Sequence, residues 1–378
     1  MRIYLDHAAT TPVLPEVVRA MEPWIEQNFG NPSSLYMEGR EARSAIDAAR
    51  AELAKAKGCE FGEIVFTSSG TEAANLAVIG AALGNEDARR NRILFSAAEH
   101  HCVLNTAPIL SRLGYMVELV PVGSDAAPDV NALAQMMGPD VLLVACMAAN
   151  NELGTITDLE PIRAIATTHG ALFYVDAVQV GFVKPIFADL VSYASHKLNG
   201  PKGAGALYVR AGTKVKPTAL GGGQEREMRA GTEDTAAIAG FAEAVALHGM
   251  RHIEFGETKR LAAAAFVSHL RELNPTGLVF TVDPCRSDIA GGFVHLRFEG
   301  APAESMLISL DRMGVSASSG AACSSGSIEP SHVLLAAGFT PAQAAEGLRF
   351  TFGVTNKAAE GIRVAEILAK VADRVRGN

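Results

Sequence analysis

"VLLVACM" (141–147) is seven residues long and holds no charged side chain and none that requires water. A strand with one wet face alternates apolar and polar positions. An unbroken apolar run instead fits a strand covered on both faces, as in a parallel sheet with helices packed on either side. Similar short apolar runs recur around it. "EIVFT" (63–67), "ILFSA" (93–97) and "VELVP" (117–121) precede it, and "LFYVD" (172–176), "DLVSYA" (189–194) and "GALYVR" (205–210) follow, with helical patterns between them. Seven candidate strands alternating with helices predict an α/β fold on a mostly parallel sheet.

Upstream, "EVVRAMEPWIEQNF" (16–29) and "EARSAIDAARAELAKAK" (41–57) read as helices, the second stopped by Gly58. Beyond about residue 250 the pattern becomes mixed: a helix over 259–273, strands over 277–282 and 292–298, a helix over 301–314 and a last helix over 357–376. A chain of 378 residues exceeds the size that one core usually serves. We therefore expect a large domain over 16–250 and a smaller α+β domain assembled from 1–15 and 251–378. No internal repeat is visible.

Composition narrows the class. Hydrophobic residues make up 48% and charged residues 20%, as in ordinary water-soluble domains, and no apolar run approaches the roughly 18–20 residues of a membrane helix. The start "MRIYLDHAATTP" enters a strand-like "IYL" without the features of a secretory signal, so the cytoplasm is the expected compartment. Five scattered cysteines with no C-x-x-C pair argue against a disulfide framework and a structural zinc site, and no metal is expected. A formal charge of −8 disfavours broad attraction to nucleic acid.

In an open α/β sheet, chemistry gathers at the carboxyl ends of the strands, and three of those ends are polar. Asp176 closes "LFYVD", with Gln179 three positions on. A carboxylate there must be hydrogen-bonded or paired with a cation, because burying it bare costs several kcal/mol; capping the next helix is the plainer role. Lys197 follows another apolar strand, 21 residues beyond Asp176, with His196 beside it and a glycine-rich turn after it. Lysine is ordinarily a surface residue, but desolvation at a sheet edge lowers its pKa and makes the amine nucleophilic toward a carbonyl. Lys202 in "GPKG" lies deeper in the turn and is the weaker candidate. In "FTSSGTEAANLAVIG" (66–80), a strand, Ser68, Ser69, Gly70 and Thr71 lead into a helix whose first amides suit a phosphate, although the same letters also make an ordinary N-cap. This is neither a Walker loop nor a G-x-G-x-x-G turn. Pyridoxal phosphate would use all three places: a lysine for its aldehyde, an aspartate for its pyridinium and a helix start for its phosphate. His100 or His101, just after a strand, could stack on its ring.

"YLDHAATTP", "GNPSS", "FTSSGTEAANLA", "AEHHCVL", "NNELG", "VDAVQ", "SHKLNGPKG", "GGGQEREMRAGT", "SSGAACSSGSIEPSHVL" and "LRFTFG", in this order over nearly the whole chain, resemble the group I cysteine desulfurases of the NifS and IscS type. The resemblance implies a fold-type I pyridoxal-phosphate homodimer that takes L-cysteine as substrate and hands sulfur to an iron–sulfur scaffold or another acceptor protein. It makes Lys197 the Schiff-base lysine, Asp176 the partner of the pyridine nitrogen and His100 the stacking imidazole. Asn151 and Gln179 fall near the phenolic oxygen. Gly70, Thr71 and His196 become phosphate contacts, and Thr232 becomes one reached from the other subunit. Arg349 and Asn31 match ligands of the substrate carboxylate, a task that suits the planar guanidinium fork. One departure stands out: where the family often carries a hydroxyl three residues before the lysine, this chain has Ala194, and Ser195 follows it as a substitute phosphate contact.

Cys323, in "SASSGAACSSGS" (316–327), matches the nucleophilic cysteine that keeps the substrate's sulfur as a persulfide while alanine leaves. Gly320, Gly326 and the surrounding serines make a strip poor at packing, as a mobile carrier would need. Cys146, inside "LLVACM", reads as a core residue, and Cys102 as structural. Two alternatives use the same residues differently: a related selenocysteine lyase or class V aminotransferase, which needs no loop thiol, and a noncatalytic assembly partner that has kept the fold.

Overall fold

The apolar runs pair with one another. The computed structural model describes residues 2–183, 185–319 and 330–377. Its first strand is Ile3–Tyr4 (β1). Among the described residues, Ile64–Thr67 (β2), Arg92–Ser96 (β3), Met116–Val120 (β4), Val141–Met147 (β5), Leu172–Asp176 (β6), Leu190–Ala194 (β7) and Gly205–Val209 (β8) form one seven-stranded sheet. Its order is β2-β8-β7-β6-β5-β3-β4. Pairing is parallel from β7 through β6, β5 and β3 to β4, while β8 runs antiparallel to both β7 and β2.

All seven residues of β5 are buried, which is why its sequence shows no alternation. The pleat sends successive side chains to opposite faces. Leu94, Val144 and Cys146 join a core with Ile46 and Leu53 of the helix Met37–Lys57. Ile93, Phe95, Leu143 and Ala145 join another with Ala73, Leu76 and Ala77 of the helix Gly70–Gly84. The Met37–Lys57 helix stops at Gly58, whose left-handed backbone (φ 72°, ψ 48°) lets its amide cap the last turn.

A second core lies around Leu278–Phe280 (β9), Phe293–Phe298 (β10) and Gly347–Thr351 (β12), an antiparallel sheet in the order β12-β10-β9. Val315–Ser316 (β11) pairs in parallel with β1. The helices Ala303–Arg312 and Ala358–Arg376 pack against this core through Met306, Leu310, Val364 and Leu368. The sequence places a boundary near residue 250, but no linker occurs there. One helix, Thr235–Leu273, runs through it with a kink at Arg251 (φ −113°, ψ 17°), and the expected 259–273 helix is its second half. Its apolar pattern weakens between Met250 and Gly256 because that stretch passes from one core to the other, with Met250 and Ile253 largely exposed.

The ends of β2, β6 and β7 all lie at one edge of the large sheet, since β8 reverses direction twice between β7 and β2. The first dozen residues cross this edge. Leu5 O accepts the Thr351 amide at 2.8 Å, and Thr11 N donates to His196 O at 3.0 Å. The start of the chain thus ties β12 to the turn that carries Lys197.

A buried ion pair anchors the loop that leads to Thr232. Arg50 and Glu225, both almost fully buried, make a two-bonded contact at 2.7 and 2.6 Å. Arg50 also donates to Ile64 O at 2.8 Å, and the Phe66 amide donates to Glu225 at 2.7 Å. This pairing holds three consecutive non-glycine residues, Glu225, Arg226 and Glu227, at positive φ (47°, 56° and 65°), a conformation that costs energy at each. Removing one member of a buried pair strands the other charge. Arg50→Ala is expected to lower the unfolding free energy by about 3–5 kcal/mol, read from denaturant midpoints.

Candidate active site

The three polar strand ends converge on one cavity of about 350 Å³. Asp176, Gln179 and Lys197 line it together with His100, Asn151 and Arg349, and Gly70, Thr71 and His196 form one corner. Asp176 is the last residue of β6 and is only 6% exposed. Its Oδ1 accepts the Val178 amide at 2.9 Å, and the Cys102 Sγ lies 4.0 Å from Oδ2. Burial pushes its carboxyl up to about 6, against the opposing pull of the Val178 amide, the Lys197 charge and Ser192. Glu99 is fully buried nearby, and burial, then the Asp176 charge, hold its carboxyl well above the usual range. Two buried carboxyls thus disfavour each other's charge, and a cation beside Asp176 would favour its ionised form.

Lys197 sits in a short 3-10 turn, Ser195–Lys197, directly after β7. Its Nζ donates to the Ala8 carbonyl and, at 2.7 Å, to that of Ala9. Gln179 Nε2 donates to the same Ala8 carbonyl at 3.1 Å. Two carbonyls of the N-terminal segment therefore hold the ammonium at the cavity wall. Arg349, on β12 and 2% exposed, donates through Nη1 to Asn151 O at 2.6 Å and through Nη2 to Asp6 Oδ1 at 2.7 Å. His100 caps the helix His101–Leu104, its Nδ1 accepting the Cys102 amide at 3.1 Å. In the neutral ring the proton then lies on Nε2. Burial first, then the charges of Lys197, His101 and His332, lower its pKa to about 4, so the imidazole is neutral at neutral pH.

The remaining corner is built from backbone. Ser69 caps the Gly70–Gly84 helix by accepting the Glu72 amide at 3.1 Å, leaving earlier amides of the first turn facing the cavity edge. A Cβ on Gly70 would meet Val178 Cγ2 at 2.9 Å and Ala194 Cβ at 3.2 Å, so only glycine permits this close approach. His196 Nδ1 lies 3.1 Å from Thr10 Oγ1, and burial followed by the charges of Lys197 and Lys202 lowers its pKa to about 4.

Three of the residues expected from the sequence do not line this cavity. Ser195 is fully buried and packs its Oγ where a Cβ on Gly200 would sit, while Ala194 faces the cavity. Ala194 takes the inward direction, and Ser195, expected as a substitute phosphate contact, turns its side chain away from this cavity. Asn31 is exposed and holds its own loop, its Oδ1 accepting the Ser33 amide at 2.9 Å. Thr232 is exposed and borders a separate hollow with Ser68, Gly203 and Arg229. Cys323 lies outside the described residues. Sequence reasoning missed Asp6, Glu99 and the Ala8 and Ala9 carbonyls. Asp6 and Glu99 stand inside the quoted stretches "YLDH" and "AEHH", so an acid beside each histidine was the available signal.

Pyridoxal phosphate fits these residues. The buried Asp176 carboxyl lacks the full compensation that a pyridinium would supply, Asn151 Oδ1 is buried with no hydrogen bond, and the cavity ends on free helix amides and on Lys197. Lys197 would hold its aldehyde carbon, Asp176 its ring nitrogen, and Gly70, Thr71 and His196 its phosphate.

A family model, Aminotransferase class-V, matches residues 3–363. A protein of Bacillus subtilis (strain 168) named putative cysteine desulfurase IscS 1 is 39% identical over 380 residues, covering 99% of each chain. The solved structure of a NifS-like protein superposes with a TM-score of 0.90 at 30% identity over 100% of both chains. A structure titled SspA in complex with cysteine has a TM-score of 0.79 at 29% identity, covering 93% of this chain and 99% of that one.

The raised carboxyl of Asp176 has a thermodynamic sign. A folded-state pKa above the unfolded one makes the folded protein bind the extra proton, so this group's contribution is present below about pH 4 and is lost as pH rises through about 6. In the cofactor-free protein, Asp176→Asn is expected to be more stable than the parent at pH 8 by about 2–3 kcal/mol, with the difference vanishing toward pH 4. Denaturation at the two pH values checks this, and a pH-independent difference would contradict it.

Proposed function

This chain belongs to the cysteine desulfurases of the aminotransferase class-V family, and from that premise we propose that it converts L-cysteine to L-alanine and keeps the sulfur as a persulfide on Cys323. The single observation that carries this reading is the meeting of Lys197, Asp176, His100 and Arg349 in one cavity at the carboxyl edge of the sheet.

Bound there, pyridoxal phosphate would supply an aldehyde carbon for an amine and a ring that accepts electrons from the substrate's Cα. Asp176 keeps that ring's nitrogen protonated, because its buried carboxylate is stabilised only with a cation beside it. Arg349 binds the substrate carboxylate through its planar fork, exchanging part of its contact with Asp6 for the substrate. Lys197, once free of the aldehyde, takes the proton from Cα and returns one to the alanine skeleton, within reach because the Ala8 and Ala9 carbonyls orient its amine. His100, neutral and protonated at Nε2, is a proton carrier beside the substrate thiol. The Cys323 thiolate attacks the substrate sulfur: an S–S bond forms as the Cβ–S bond breaks, and that bond's electron pair stays on the carbon skeleton, which a proton completes. Carbon is reduced and sulfur oxidised in the same exchange, so cysteine plus enzyme thiol gives alanine plus enzyme persulfide with no outside oxidant.

The persulfide passes to an acceptor thiol, for iron–sulfur cluster assembly or thio-cofactor synthesis. The working form is a homodimer. Thr232, exposed and outside its own chain's cavity, completes the partner's phosphate site, and the exposed Phe29, Leu35, Tyr36 and Leu220 are apolar surface for the contact. Asn31, likewise exposed, joins Arg349 only through that assembly. Cytoplasm is the compartment that suits free thiols and a persulfide carrier. No helix among the described residues is long and apolar enough to cross a membrane.

Two variants test the scheme. Lys197→Ala is expected to lose the cofactor's visible absorbance band and to slow alanine formation by about 10²–10⁴-fold. Cys323→Ala is expected to keep the absorbance band but form no protein persulfide, measured by mass spectrometry after one turnover of cysteine. Undiminished persulfide in Cys323→Ala would refute the assignment, and undiminished alanine there would favour the lyase or aminotransferase reading.

A further inference from the structure

Behind Lys197 lies a second cavity, of about 420 Å³, that the desulfurase chemistry does not use. It shares Ala8, Gln179 and Lys197 with the active-site cavity and opens between the two cores, against the kinked helix Thr235–Leu273. Its volume falls within the ~300–1,000 Å³ of small-molecule sites. Ile156, Val180, Phe255 and Phe293 supply apolar walls.

Charge at this cavity has one sign. Lys197, Lys259, His7, His248 and His252 line it, and no aspartate or glutamate is among the described lining residues. Among the described residues, no hydrogen bond or ion pair reaches the Lys259 ammonium; burial alone depresses its pKa. Its charge acts on His7 and His248, so the two imidazoles and the ammonium face a common space. His7 is 7% exposed, and among the described residues neither of its ring nitrogens has a partner with hydrogen-bond geometry, although Asn356 and the Tyr4 carbonyl lie close. Glu360 acts on His7 through its charge but is itself engaged by the Lys357 amide at 3.0 Å and by Asn356 at 3.2 Å. His248 is already occupied, its Nε2 lying 3.3 Å from Asn199 Oδ1. A desolvated cation without an anion is costly, and an unbonded buried imidazole adds to that cost. One ligand answers both.

We propose that this cavity binds a small monocarboxylate with an apolar body, its carboxylate placed between Lys259 and His7 and its hydrocarbon against Val180, Phe255 and Phe293. Lys197 is engaged by the Ala8 and Ala9 carbonyls, so the Lys259 ammonium beside the neutral His7 and His248 suits one negative charge, and the apolar walls favour an organic anion over an inorganic one. The site stands apart from Arg349, which serves the carboxylate of the substrate.

Isothermal titration calorimetry of the purified holoenzyme with 4-phenylbutyrate tests this, with 4-phenylbutanol and inorganic phosphate as comparison ligands and L-alanine in saturating excess to occupy the Arg349 site. Saturable binding of phenylbutyrate at millimolar concentration is expected, with the alcohol and phosphate each weaker by about tenfold or more. Lys259→Met, which removes the charge of a half-buried side chain, is expected to weaken phenylbutyrate about tenfold or more, while Lys259→Arg keeps it within about threefold. Alanine formation from cysteine by Lys259→Met, measured separately, keeps a failure of this site distinct from a failure of the desulfurase reading. The proposal is overturned if phenylbutyrate does not bind, if L-alanine displaces it, if the alcohol or phosphate binds as well, or if Lys259→Met binds unchanged.

Discussion

Charge buried at the carboxyl edge of the large sheet is the constraint on which the rest of the site depends. Asp176, Glu99 and Arg349 are each at most 6% exposed, where an uncompensated charge costs several kcal/mol. The fold meets this cost differently at each position. Burial holds the Glu99 carboxyl well above the usual range, Arg349 is held by Asp6 and a carbonyl, and Lys197 rests on two carbonyls. Asp176 has one amide and a raised carboxyl, and so retains an unmet need for a cation. A group bearing a positive charge would meet that need.

The N-terminal segment joins this edge to the smaller core. Leu5 bonds β12, Asp6 pairs with Arg349, Ala8 and Ala9 receive Lys197, and Thr11 bonds the His196 carbonyl. Five short contacts from seven residues thus couple Arg349 to Lys197. The Arg349–Asp6 pair is the one side-chain ion pair of this set, and the backbone bonds of Leu5 and Thr11 hold the strap in register beside it. The same strap separates the active-site cavity from the one behind it, with Ala8 on the wall of both.

Legibility in the sequence followed from how local each signal was. The unbroken apolar run at 141–147 needed no partner to be read, since burial on both faces leaves its mark residue by residue. Lys197, Asp176 and Gly70 are readable because each lies at the carboxyl end of a strand or within three residues of it, and strand ends of a parallel sheet share an edge. The Arg349–Asp6 pair spans 343 residues, and the Arg50–Glu225 pair spans 175, so nothing nearby announces either. The path of the Thr235–Leu273 helix was hidden for another reason: its weak apolar pattern near Met250 marks a crossing between cores and not the end of an element. The direction of the Ser195 side chain is not legible either, because it depends on the turn after β7, which its letter does not encode.

By itself the sequence determined the fold class, the family and the types of residue that carry the chemistry, because hydrophobic periodicity and ordered motifs are properties of short stretches. Only the tertiary structure decided which of those residues share a cavity, which carbonyls hold Lys197, and that a second, cationic cavity lies behind it. The physical reason is distance: desolvation, ion pairing and cavity shape depend on groups brought together from remote parts of the chain, and their energies exist only after folding has excluded the water between them.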